Sequence, residues 1–76
     1  MDNFISYISI DSDIRFGKPC IKGTRIAISD ILQWLASGMT PQEIINDYPV
    51  LQDIHIRAAL SFAANREAFT RIITAA

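Results

Sequence analysis

The sequence has too few cysteines and histidines for a disulfide or a structural zinc site. Its 76 residues include one cysteine, Cys20, and one histidine, His55. A disulfide needs a pair of cysteines, and a structural zinc ion takes about four ligands. The segment GKPCIKGT also lacks the GxxxxGK[ST] spacing of a phosphate-binding loop. We therefore expect no metal and no cofactor, with Cys20 buried as a small apolar side chain.

Long apolar runs are missing as well. Uninterrupted apolar stretches are only a few residues long, far short of the roughly 20 that cross a bilayer. The segment MDNFISYISI has no basic residue ahead of its apolar part, so it does not resemble a secretory signal. We expect no membrane contact and a cytoplasmic location, where the thiol stays reduced.

The chain is short for its apolar content. A domain of this size buries only about 60% of the surface that its unfolded chain exposes, so its stability is marginal without association. Half of the residues are hydrophobic and the mean hydropathy is +0.22. Some apolar surface should therefore lie in an interface, and we expect a homodimer.

Positive charge is not in excess overall, but it is concentrated. The net charge is −1, whereas nucleic-acid-binding domains are usually basic. Four cations nevertheless fall within eleven residues that contain no acid. They are candidates for contacting phosphate or an acidic protein surface, and the alternative is a solvated loop that balances nearby acids. The candidates are Arg15, Lys18, Lys22 and Arg25.

Two short strands are predicted near the start of the chain. Tyr7–Ile10 is rich in β-branched and aromatic residues, and Asp11–Asp13 has the composition of a turn. Arg25–Ile28 is predicted to be a second strand, antiparallel to the first. Gly17 and Gly23 indicate either a close backbone approach or positive φ at turns. Two strands are barely stable alone, so this arm should pack on helices.

The first predicted helix covers Asp30–Ser37. Ser29 precedes it as the N-cap, and Gly38 follows where a left-handed cap is expected. Its apolar positions recur at helical spacing and form one face: Ile31, Leu32, Trp34 and Leu35.

The second predicted helix has the strongest local signal. Thr40 is its N-cap, Pro41 takes the first helical position, and Glu43 completes a capping box. Pro49 ends the helix, because it pushes the preceding residue out of the helical region. The predicted buried side contains Ile44, Ile45 and Tyr48.

The third predicted helix starts near Gln52 or Asp53 and reaches at least Ala64. Residues 65–76 either prolong it or form a short helix of their own. The chain is therefore predicted to be a single domain over residues 1–76, with a β arm, a three-helix core and a C-terminal helical extension at 1–28, 29–64 and 65–76. The predicted core positions of the third helix are Ile56, Ala59, Leu60 and Ala63.

Helix two, a short break and helix three have the layout of a helix-turn-helix. In that geometry the start of helix three enters the major groove of DNA. The candidate nucleic-acid contacts are therefore Gln52, His55 and Arg57. Asp53 at the same place would repel phosphates. The alternative is a three-helix bundle whose outward residues are simply solvated.

Several blocks of the sequence together resemble the domain-of-unknown-function 433 (DUF433) family. The most specific block is GKPCIKGTRI at residues 17–26, followed by TPQEI at 40–44 and DYPVL at 47–51. The resemblance spans residues 7–64. It implies a mainly α, homeodomain-like three-helix fold behind a small two-stranded β element.

The resemblance also implies a function. Members of this family often look like the antitoxin half of a type II toxin-antitoxin pair, and the toxin in such pairs resembles a PIN-like ribonuclease with an acidic, metal-dependent active site. An inhibitor of such a site would need cations or an inserted segment to occupy it. The candidates are the arm cations together with Arg66 and Arg71. Operator DNA is a further candidate ligand. The alternative is a protein-interaction module that does not bind nucleic acid. No convincing nucleophile, base or metal set points to an enzyme.

Overall fold

Helices dominate the fold, as the periodicity predicts. The computed structural model of the protein describes residues 4–75, with side chains described for residues 4–66. This part of the chain forms three α-helices and one two-stranded antiparallel sheet. The helices are α1 (Ile28–Ala36), α2 (Pro41–Asp47) and α3 (Asp53–Ala75). None of them, over the residues described, is long and apolar enough to cross a membrane.

The sheet lies in the N-terminal arm. A 3₁₀ turn, Phe4–Tyr7, leads into β1 (Ile8–Ser9), which pairs with β2 (Cys20–Ile21). The prediction of a strand at Arg25–Ile28 is wrong. A tight turn at Gly23, with φ of +81°, folds the chain back so soon that only one bridge forms, between Cys20 and Ala27.

Helix α1 begins two residues earlier than predicted, at Ile28 instead of Asp30. Ala27 is its N-cap and has no side-chain acceptor to offer. The carboxylate of Asp30 instead accepts a hydrogen bond from the Ala27 N–H at 3.1 Å. The predicted role of Ser29 as N-cap is therefore wrong. The end of the helix is confirmed, because Gly38 has φ of +105° and follows its last turn.

The predicted capping box of α2 is confirmed. The Thr40 hydroxyl accepts from the Glu43 N–H at 3.1 Å, and the Glu43 carboxylate accepts from the Thr40 N–H at 2.8 Å. Pro41 occupies the first turn. This local chemistry fixes the start of α2 and so directs Ile44 into the core, where it is fully buried.

The core lies where the three helices and β2 meet. Leu60 was predicted to belong to it, but its side chain is 49% exposed, because Ile56 and Ala59 take the inward face of α3. Tyr48 is also exposed, at 37%, and stacks on the ring of Trp34 with centroids 4.4 Å apart. The buried cluster contains Ile21, Ile28, Ile31, Ile44, Leu51, Ile56 and Ala59.

Helix α3 continues without a break from the core into the predicted extension. Residues 65–75 therefore prolong the third helix and do not form a separate one. The candidate contact Arg71 lies outside the residues whose side chains the structure describes. Arg66, by contrast, is described and is exposed.

Candidate partner-binding surface

The arm contains a turn of left-handed backbone. Arg15, Phe16 and Gly17 have φ of +51°, +57° and +82°. The Gly17 and Lys18 N–H groups donate to the Ile14 and Arg15 carbonyls, both at 3.1 Å. Left-handed backbone costs a residue with a side chain about 1–2 kcal/mol, and two of these three residues have one. Strain of this kind persists only where other contacts hold it.

Arg15 supplies those contacts. Its Nη1 donates to the Arg25 carbonyl at 2.7 Å and to Oδ2 of Asp30 at 2.9 Å. Asp30 is also the residue that caps α1 through the Ala27 N–H. The candidate cation Arg15 is therefore a clamp that joins the arm to α1.

The contact with Arg15 affects the pKa of Asp30. Partial burial favours a higher pKa for its carboxyl, but the hydrogen bond from Arg15, the Ala27 N–H and the charge of Arg15 outweigh burial and lower the pKa. The hydrogen bond to Asp30 raises the pKa of Arg15 in turn. Both groups stay ionised near neutral pH, so the clamp stays closed.

Phe16 is fully exposed at the tip of this turn, at 102% of its reference area. Phe16 was not among the predicted contacts, which in this arm were the neighbouring cations. A phenylalanine directly before a glycine, within a stretch punctuated by glycine and proline, was the available signal. The turn thus presents an apolar side chain that no contact within the fold covers. Exposing a whole aromatic ring to water is unfavourable.

The other arm cations are exposed but differ in their surroundings. Lys22 and Arg25 are exposed, and the Lys22 N–H donates to the Tyr7 carbonyl at 2.8 Å. Lys18 borders a groove between α1 and α3. Arg66 lines the same groove, and its guanidinium lies 5.4 Å from the centroid of the Phe62 ring. Two candidates far apart in sequence are thus brought to one surface.

The three candidate DNA contacts at the start of α3 differ in their surroundings. His55 is only partly exposed, because its ring packs edge-on against Tyr7 with centroids 5.7 Å apart. Its Nδ1 accepts a hydrogen bond from the Gln52 N–H at 2.9 Å, so His55 caps the helix. Gln52 is exposed, and Arg57 pairs with Asp53 at 2.9 Å. His55 is therefore partly occupied by packing and capping, and its role as a nucleic-acid contact stays a prediction.

The cap gives a testable pH dependence. Burial lowers the pKa of His55 below its ordinary value of 6.5, and Nδ1 must be unprotonated to accept from Gln52. The unfolded chain therefore takes up the proton first. The contribution of His55 to the free energy of unfolding should be complete above pH 6.5 and should fall as the pH drops through the lowered pKa.

Urea denaturation between about pH 7.5 and 5.5 measures this effect. The matched variant is His55→Gln, since glutamine at this position keeps an acceptor for the Gln52 N–H but does not titrate. The slope of stability against pH should be shallower in the variant. Equal slopes in the two proteins would rule out the proposed protonation effect.

Other chemistry is sparse at this surface. Cys20 is buried, as predicted, and its Sγ donates to the Lys18 carbonyl at 3.3 Å. Among the described residues, no group of three or more histidine, cysteine, aspartate or glutamate side chains could hold a metal ion. The features that stand out are the arm turn with Phe16 and the groove with its two cations.

Comparison with known proteins gives a family and a fold. The model of the family described as "Protein of unknown function (DUF433)" matches residues 8–63. A crystal structure of a DUF433 member protein from Anabaena variabilis ATCC 29413 is similar, with a TM-score of 0.74 and 25% sequence identity. The match covers 95% of this chain and 76% of that one. No curated protein matches the chain.

Proposed function

The chain belongs to the DUF433 family, and from this premise we propose that it is an antitoxin-like protein of a type II toxin-antitoxin pair, which binds a PIN-like ribonuclease in a bacterial cytoplasm. The proposal takes the class of partner from the family resemblance. The arm, and Phe16 above all, supports a protein-binding role for this particular chain.

The observation that carries the proposal is the full exposure of Phe16 on a clamped, strained turn. An exposed phenylalanine gains nothing for the isolated fold, and the left-handed backbone beneath it costs stability. Aromatic side chains are enriched in protein–protein interfaces, where the complex buries them. A protein partner would account for both features.

The charges around Phe16 suit an acidic partner. Over residues 11–25 the cations outnumber the acids four to two. The Asp11 carboxylate accepts from the Asp13 N–H at 2.9 Å, so it is engaged within the arm. The arm thus has an exposed apolar side chain together with the exposed cations Lys22 and Arg25, and this combination complements a pocket lined by carboxylates. A PIN-like active site would be such a pocket.

The outward face of α3 favours protein over operator DNA as the ligand. Arg57 is paired with the acid Asp53, and Leu60 is half-exposed one turn further on. An acid and an apolar side chain are poor contacts for phosphates. The alternative function, a protein-interaction module without nucleic-acid binding, therefore has this surface in its favour.

Exposed apolar side chains also support the proposed homodimer. Sedimentation at several protein concentrations tests it directly, since a dimer should dissociate on dilution. The large hydrophobic residues exposed in the described part of the chain are Ile5, Ile10, Phe16, Tyr48, Val50 and Leu60.

The antitoxin proposal is tested by co-expressing the chain with any PIN-like ribonuclease encoded by the adjacent gene. We expect a complex that co-purifies and in which RNA cleavage is suppressed. A soluble, folded ribonuclease that neither binds nor is inhibited would contradict the proposal. Titration of the upstream DNA duplex tests operator binding, whose signature is an affinity that falls steeply with salt.

A further inference from the structure

We propose that the groove between α1 and α3 is a second docking site, which takes an acidic amphipathic helix of a partner protein. We name this surface the α1/α3 groove. Phe16 is not among its lining residues, and the proposal does not depend on the ribonuclease. Its lining residues are Lys18, Pro19, Ile28, Ser29, Leu32, Gln33, Phe62, Ala63 and Arg66.

The floor of the α1/α3 groove is apolar and is built from two helices. Ile28 and Leu32 are four residues apart, so they lie on one face of α1. Phe62 and Ala63 contribute the opposite wall from α3. The groove has a volume of about 520 Å³, which falls within the range of ligand-binding clefts. A groove between two helices is a common seat for the apolar face of a third.

The rim of the α1/α3 groove is positively charged. Among the lining residues whose side chains the structure describes, Lys18 and Arg66 are the ionisable ones, and Ser29 and Gln33 are uncharged and polar. Arg66 lies over the Phe62 ring, an arrangement that limits its freedom before a ligand arrives. An apolar floor between cations selects a helix whose apolar stripe is flanked by carboxylates and disfavours one flanked by lysines.

A pair of synthetic helices tests the inference with the full chain. Both would have about 14 residues, with leucines along one face at the spacing found in groove-binding helices. The flanking residues would be glutamates in one and lysines in the other. We expect the acidic helix to bind about tenfold more tightly than the basic helix, or tighter still. The reason is that its glutamates form two attractive charge pairs with the rim cations where lysines would form two repulsive ones. Amide resonances of Leu32, Phe62 and Ala63 should shift on its addition.

Charge reversal provides the matched control. Lys18 and Arg66 are both exposed, so the double variant Lys18→Glu, Arg66→Glu should fold, which circular dichroism checks. It should invert the preference and bind the basic helix more tightly. The inference is overturned if the wild-type chain binds neither helix or both equally, if the resonance shifts lie elsewhere, or if the variant keeps the original preference. Binding of the ribonuclease has no part in these outcomes, so failure here is distinct from failure of the antitoxin proposal.

Discussion

Replacing Phe16 with asparagine should weaken binding to the ribonuclease by about 30-fold or more, the effect typical of a central aromatic contact, without destabilising the domain. The two effects separate because the Phe16 side chain is fully exposed and has no packing to lose. Asparagine tolerates left-handed backbone better than phenylalanine, and φ at this position is +57°. Stability should therefore stay level or rise.

The measurement is a dissociation constant together with a urea midpoint for each protein. Ile5→Asn is the matched control, because Ile5 is 76% exposed but lies in the 3₁₀ turn ahead of β1. It removes exposed apolar surface away from the strained turn and should bind as the wild type does. Unchanged affinity in Phe16→Asn would refute the role of Phe16 as a central contact. An equal loss of affinity in Ile5→Asn would mean that binding reflects nonspecific hydrophobic association.

The sequence predicted the parts of the fold that local chemistry determines. The capping box of Thr40 and Glu43 closes within a single turn, so the residues that form it are adjacent in the chain. Gly38 is similar, since its positive φ follows from helix termination alone. Cys20 was predicted to be buried from its apolar neighbours, and it is.

Other residues have roles that depend on a partner distant in the chain. Asp30 starts α1 early because its carboxylate reaches Ala27, and it holds Arg15, which lies fifteen positions earlier. No local pattern marks that ion pair. Leu60 fits a helical apolar period as well as Ala59 does, and only the packing of α1 and α2 decides which of them faces inward.

For the candidate site, too, local features could be predicted from the sequence and tertiary contacts could not. The cationic arm is evident from the sequence, but nothing in the sequence distinguishes Arg15, which serves as a clamp, from Lys22 and Arg25, which are exposed. The sequence also does not place Lys18 beside Arg66, because the α1/α3 groove exists only once the helices are packed. Charge type can be predicted from the chain, whereas the surface that a charge belongs to requires the tertiary fold.

Truncating Ile44 to alanine should lower the free energy of unfolding by about 2–5 kcal/mol, as deletions from well-packed cores do. Leu60→Ala should change it by only about 0.5 kcal/mol or less. Ile44 is fully buried among the helices, whereas Leu60 is 49% exposed. Both substitutions introduce alanine into a helix, so the difference between them reports burial.

Urea denaturation at several protein concentrations, starting from a low one, is the measurement, and the transition slopes of the two variants should agree. A domain of this size has a total stability of only about 4–11 kcal/mol, so the loss in Ile44→Ala should be a large fraction of it. Equal losses at every concentration would mean that Leu60 belongs to the core and that the orientation of α3 is wrong. A loss for Leu60→Ala that appears only as concentration rises would instead place Leu60 in the interface of the proposed homodimer.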